Sequence, residues 1–158
     1  MDLWGNLNLK DDNHHVVISI LQEQAKLLEN KTESVLKVRL ETVNLLPKMI
    51  SDSTYPSLEK QKKPRYPIAT NFNIVSPGLD NYTYTLFTVY HNPETEFPVE
   101  LDTSIEEVAP HTPCDNEREF LNHLHLVLSS EKVTNAIKTI YSKSKTLKAE
   151  VRKSDFFF

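Results

Sequence analysis

Between residues 15 and 31, Val17, Ile20, Leu21, Gln24, Ala25 and Leu28 recur at helical spacing, with Glu23, Lys26 and Glu29 on the opposite side. This pattern predicts an amphipathic helix that buries one face. Asp12 or Asn13 suits its N-cap, and Thr32 with Ser34 ends the pattern. Leu36, Val38 and Leu40 then alternate with Lys37, Arg39 and Glu41, which predicts a strand with one buried face. From Pro47 to Pro67 no period survives, and Pro47, Pro56, Pro64 and Pro67 exclude a continuous helix or a central strand. A loop over 47–67 follows, of a length that usually marks function or mobility.

Beyond it, Ile68, Thr70, Phe72 and Ile74 alternate with Ala69, Asn71, Asn73 and Val75 as a strand. Ser76-Pro77-Gly78-Leu79 predicts a type II turn in which Gly78 supplies the positive φ. The next strand, Tyr82 to His91, sets Tyr82, Tyr84, Leu86, Thr88 and Tyr90 on one face and Thr83, Thr85, Phe87, Val89 and His91 on the other. Phe97, Val99 and Leu101 alternate with Pro98 and Glu100, completing a three-strand meander in which Pro98 favours an edge. Residues 102–114 read as an acidic loop. Asn116 with Glu119 three residues later forms a capping-box start, and Phe120, Leu121, Leu124, Val127 and Leu128 make one helical stripe. A second helix carries Val133, Ala136, Ile137, Ile140 and Tyr141, whereas 146–152 fits helix or strand equally. The expected fold is a single α+β domain over 1–158: an N-terminal helix, an antiparallel sheet of about four strands, two C-terminal helices packed on one face, and a tail at 153–158.

The stretches ILQEQAKLLENKT, YTLFTVYHNPETEFPVEL and EFLNHLHLVLSSEKVTNAI, in this order, resemble a pattern seen in small uncharacterised bacterial α+β proteins. They cover roughly a third of the chain. The resemblance implies a bacterial α+β domain and carries no activity and no site residue.

Composition removes several function classes. Only Gly5 and Gly78 are glycines, so neither a phosphate-binding loop nor a dinucleotide fingerprint nor a nucleophile elbow can be written. No cofactor is expected. No apolar run approaches the roughly 20 residues needed to span a bilayer, and the acidic start (Asp2, Asp11, Asp12) does not read as a secretory signal. With the lone Cys114, these features point to a cytoplasmic protein without a membrane partner. The net charge of −4 opposes general attraction to nucleic acid. Its distribution is uneven: residues 92–119 hold nine acids and only Arg118, whereas 131–153 hold seven Lys/Arg against Glu131 and Glu150. Such segments are most simply solvated faces or partners of one another within the fold.

Four residues have metal-ligand chemistry within a short span: His111, Cys114, His123 and His125. If 117–128 is helical, His123 and His125 lie about 200° apart around the axis and do not easily share one ion. Cys114 with His111 is also the one combination resembling a thiol nucleophile and base, although nothing in a proline-rich loop lowers a thiol pKa. Ser142-x-x-Lys145 matches a two-residue catalytic pattern without its companion motifs. Tyr82, Tyr84 and Tyr90, preceded by Lys60, Lys62, Lys63 and Arg65, are the ingredients of a stacking platform for single-stranded nucleic acid.

Phe156, Phe157 and Phe158 would each gain about 1.5–3 kcal/mol from burial. They are expected either to fold back or to anchor in a partner. The preferred expectation is therefore a non-catalytic protein-binding module, of adaptor, immunity or antitoxin type, that contacts another protein through Phe156–Phe158 and the acids Glu94, Glu96, Glu106 and Glu107. Self-association stays open. Single-stranded nucleic-acid binding and a metal- or Cys-dependent hydrolase are the alternatives.

Overall fold

A computed structural model describes residues 1–5, 7, 9, 16–46, 66–106 and 108–155, with side chains described up to Leu147 in the last helix. The 47–65 part of the proline-rich loop, Glu107 and Phe156–Phe158 lie outside the described residues. The element order is α1 (Val16–Lys31), β1 (Lys37–Asn44), β2 (Ile68–Ser76), β3 (Tyr82–His91), β4 (Val99–Asp102), β5 (Thr112–Cys114), α2 (Glu117–Leu128) and α3 (Glu131–Asp155). Among the described residues the strands form one antiparallel sheet in the order β1-β2-β3-β4-β5, so the α+β architecture shows five strands there. The fifth is Thr112-Pro113-Cys114, too short and too proline-broken to show a period of two. Because β5 covers β4, β4 is not the edge that Pro98 suggested. Pro98 stands just before Val99, the first paired residue, where no ladder N–H is required of it. The stretch 146–152 is helical, since α3 continues to Asp155.

One sheet face packs against the three described helices. Phe72, Ile74, Phe87, Val89, Val99, Leu101 and Cys114 meet Val17, Ile20 and Leu21 of α1, Phe120, Leu124 and Val127 of α2, and Val133 of α3 in a single core. The Phe72 and Phe87 rings stack at its centre, 4.9 Å apart. The opposite face carries Asn71, Asn73, Thr85, Thr88, Tyr90 and Glu100, joined by short side-chain bonds such as Thr88 Oγ1 to Asn71 Oδ1 and Thr85 Oγ1 to Asn73 Oδ1, both 2.6 Å.

The register changes within β3. Phe72 pairs with Phe87 and the adjacent Asn73 pairs with Thr85, leaving Leu86 as the extra residue of a β-bulge. Strict alternation therefore fails there. Tyr82 and Tyr84 share the helix-covered face with Phe87, Val89 and His91, whereas Thr83, Thr85, Thr88 and Tyr90 occupy the other.

The β2–β3 connection also departs from the expected type II turn. Pro77–Leu79 is a short 3-10 turn, and the positive φ angles fall at Asp80 and Asn81. Gly78 is required for space: a Cβ there would sit 2.7 Å from the Ser144 carbonyl oxygen of α3. At the same contact the buried Ser76 and Ser144 hydroxyls are hydrogen-bonded, and Ser144 also donates to Ile140 O at 2.6 Å. This seam docks α3 onto the hairpin tip. At the start of α2, Asn116 accepts from the Glu119 N–H at 2.9 Å, and Glu119 accepts from the N–H of Asp115, the residue before the N-cap, at 2.7 Å, one residue earlier than the return bond of a capping box. Among the described residues no helix is long and apolar enough to cross a membrane.

Candidate functional site

The principal cavity follows from where the helices sit. α1 lies over β1, α2 lies over β4 and β5, and α3 reaches across to the β2–β3 turn. The centre of the sheet is left under an open groove of about 820 Å³, floored by Phe72 and Leu86 and walled by Leu27 and Leu28 of α1, Leu121, Leu124 and Leu128 of α2, and Ile137 and Tyr141 of α3. Its volume lies in the range of sites that bury most of a small ligand. Each helix contributes a second apolar stripe to it. In α1, Val17, Ile20 and Leu21 are spent on the core, while Gln24, Leu27, Leu28 and Lys31 line the groove one turn further on. In α2, Phe120, Leu124 and Val127 face the sheet, while Leu121, His125 and Leu128 turn toward the groove. Leu27 and Leu121 stay 43% and 42% exposed and border the same concavity. Among the described residues the charged side chains of the lining are Lys31 and Lys138, with His125 beside them, and no carboxylate lines it.

A smaller cleft of about 360 Å³ opens where α1 begins, between Val17, Ile18, His91 and the Asn92–Glu96 turn. Glu96 accepts the Val17 N–H at 3.1 Å, so this acid satisfies a free donor of the first helical turn. His91 shares a hydrogen bond with Thr70 Oγ1 at 2.8 Å, and Thr70 in turn bonds Thr42 Oγ1 at 3.0 Å. Burial holds the His91 pKa below its ordinary value, partly opposed by the Glu96 carboxylate.

The four metal-type residues are distributed over three places. Cys114 lies in the core with its Sγ 3.3 Å from His123 Nδ1. His125 is on the groove wall. His111 lies against the far sheet face, its ring 5.8 Å from that of Tyr90 and its Nδ1 3.5 Å from Glu100 Oε2. Among the described residues no three His, Cys, Asp or Glu side chains converge as a metal site. Burial, reinforced by the Glu119 and Asp115 carboxylates, pushes the Cys114 thiol up to about 11, so it stays protonated at neutral pH and is a poor nucleophile. The expected partner of Cys114, His111, is thus replaced by His123, nine positions along the chain.

Other sequence candidates separate as well. The bulge at Leu86 puts Tyr90 on the face opposite Tyr82 and Tyr84, which corrects the shared tyrosine platform read from alternation. Tyr82 is exposed near the hairpin tip, Tyr84 packs beside the core, and the Tyr90 phenol is raised in pKa by burial and by the Asp102 and Glu100 carboxylates. Lys60, Lys62, Lys63 and Arg65 lie outside the described residues, as do Glu107 and Phe156–Phe158. Glu94 is exposed on the β3–β4 turn, Glu96 is half-buried at the α1 start, and Glu106 is exposed on the β4–β5 loop, so the acids belong to two different loops. Lys145 of the Ser142-x-x-Lys145 match donates to the Tyr141 hydroxyl at 3.3 Å and lies over its ring, while Ser142 points to solvent. The groove leucines Leu27 and Leu121 were the residues that sequence reasoning missed. Their signal is an apolar arc on each helix wider than one sheet contact needs. Comparison of the chain with protein-family models, curated proteins and solved structures finds no match.

Proposed function

We propose that the chain is a non-catalytic protein-binding module, an adaptor, immunity or antitoxin-type protein of a bacterial cytosol, and that its docking surface is the groove between α1 and the α2–α3 pair. The observation that carries this reading is the pair of exposed leucines, Leu27 and Leu121, lining one open, mostly apolar groove over Phe72 and Leu86. Each 100 Å² of apolar surface removed from water there contributes about 2.5 kcal/mol of gross transfer energy, against which the lost freedom of both partners counts. Large apolar anchors entering such a pocket are the usual source of interface energy, and a polar rim excludes water around them. The Lys31 and Lys138 rim favours a segment whose flanks are acidic. The high thiol pKa of Cys114 and the separation of His111 from it support a binding role over nucleophilic catalysis.

A photo-crosslinking side chain placed at Leu27, with a control at Thr88 on the other sheet face, tests this in the native cell. The expected result is one protein captured from Leu27 and not from Thr88. The same protein, purified, should bind the wild-type chain and lose at least ~tenfold in affinity, or about 1.4 kcal/mol, against Leu121→Asp. Equal capture from both positions, or binding indifferent to Leu121→Asp, contradicts the proposal.

A further inference from the structure

The same chain that leaves a groove open also leaves an apolar arm uncovered. Leu3 and Trp4 are 83% and 78% exposed and Leu7 is 58% exposed, although these are among the most costly side chains to hold in water. The arm and the groove correspond in kind. Leu3, Trp4 and Leu7 offer large apolar anchors of the sort that fill interface pockets, and Phe72, Leu86, Leu28 and Leu124 form an apolar floor to receive them. Asp2 is the one charged side chain in residues 1–9 and stands beside the Met1 ammonium, so the arm meets the Lys31 and Lys138 rim without net repulsion. In the single chain Trp4 is exposed and does not line the groove.

We infer that the groove receives the N-terminal arm of a second copy of this chain, Trp4 entering above Phe72 and Leu86, in a reciprocal two-fold exchange. An arm and a groove on each chain make such a contact self-complementary, so it closes at a dimer instead of propagating. The inference rests on the proposed docking role of the groove. It names the occupant as the chain itself, held there until another protein competes for the site.

Trp4 is the one tryptophan of the chain, so its fluorescence reports arm burial without any label. Sedimentation equilibrium and Trp4 emission are measured on the full chain over a concentration series, with Leu121→Asp, Trp4→Asp and an equimolar mixture of the two variants. Leu121 and Trp4 are exposed, and circular dichroism of each variant checks that its fold is kept. The expected result is a dimer whose formation shifts Trp4 emission to the blue. Each single variant should self-associate at least ~tenfold more weakly, and their mixture should associate more tightly than either alone, since it restores one intact arm and one intact groove. A monomer with the emission of an exposed indole at every concentration overturns the inference. So does blue emission independent of concentration, which would place the arm in its own groove, and so does a dimer indifferent to both substitutions. If Leu121→Asp still abolishes binding of a separate captured protein while self-association is absent, only this inference fails. If Leu121→Asp affects neither, the proposed function fails with it.

Discussion

At the scale of single residues, the side chains with the most chemical character are engaged in holding the fold. Cys114 hydrogen-bonds His123 within the core, and its thiol, at about 11, carries roughly a hundredfold less thiolate than an ordinary cysteine at neutral pH. Alkylation of the folded protein should accordingly be about a hundredfold slower than that of the urea-unfolded chain, read by mass spectrometry of timed iodoacetamide reactions. His91 gives a pH signature. Its folded pKa lies below the unfolded value of about 6.5, so the unfolded chain binds the proton more readily and protonation favours unfolding. The neutral-imidazole contribution is complete above that value and is lost as pH falls below it. Urea midpoints should therefore drop between about pH 7 and pH 5 in the wild type, and His91→Gln should flatten that slope. Gly78 is legible in sequence as a turn residue, yet the reason first read for it is wrong. It is needed because the Ser144 carbonyl of α3 comes too close for a Cβ, a tertiary fact that local turn chemistry cannot reveal. Gly78→Ala should cost about 1–3 kcal/mol in urea unfolding, as overpacking does.

At the scale of elements, the periodic segments were readable and the interrupted ones were not. α1, β1, β2, α2 and the first turns of α3 announce themselves because their apolar side chains recur at a regular period on the face turned to the core. The Asn116–Glu119 start is equally local: the Asn116 cap bond forms as the sequence implies, while the return bond of Glu119 goes to the Asp115 N–H one residue earlier. Asn116→Ala should lower stability by about 1 kcal/mol, measurable as a reduced urea midpoint with an unchanged slope. β3 shows why alternation can mislead. The extra residue at Leu86 is apolar and both its neighbours are β-formers, so nothing in composition marks the bulge, yet every side chain beyond it changes face. That single insertion separates Tyr90 from Tyr82 and Tyr84 and removes the basis for a continuous aromatic platform. β5 escaped notice for the opposite reason: three residues with a central proline carry too little pattern, and the strand exists through its pairing with β4.

At the scale of the whole molecule, the α+β arrangement was legible, whereas the groove was not, because it is a property of spacing between elements. The apolar positions of α1 and α2 look like ordinary core stripes, and the arcs divide into a sheet-facing half and a groove-facing half only once α1 is set over β1 and α2 over β4 and β5. Leu27 and Leu121 then emerge as walls of one concavity. Of the acids, Glu96 satisfies the start of α1, while Glu94 and Glu106 are exposed on separate loops. The claim that this groove is where a protein docks is tested most directly by leucine-methyl NMR of the full chain, titrated with the partner captured through Leu27. The account predicts saturable shifts at Leu27, Leu28, Leu121 and Leu128, with Leu36 and Leu101, buried away from the groove, unmoved. Shifts that bypass the four groove leucines, or that spread equally over Leu36 and Leu101, would contradict it.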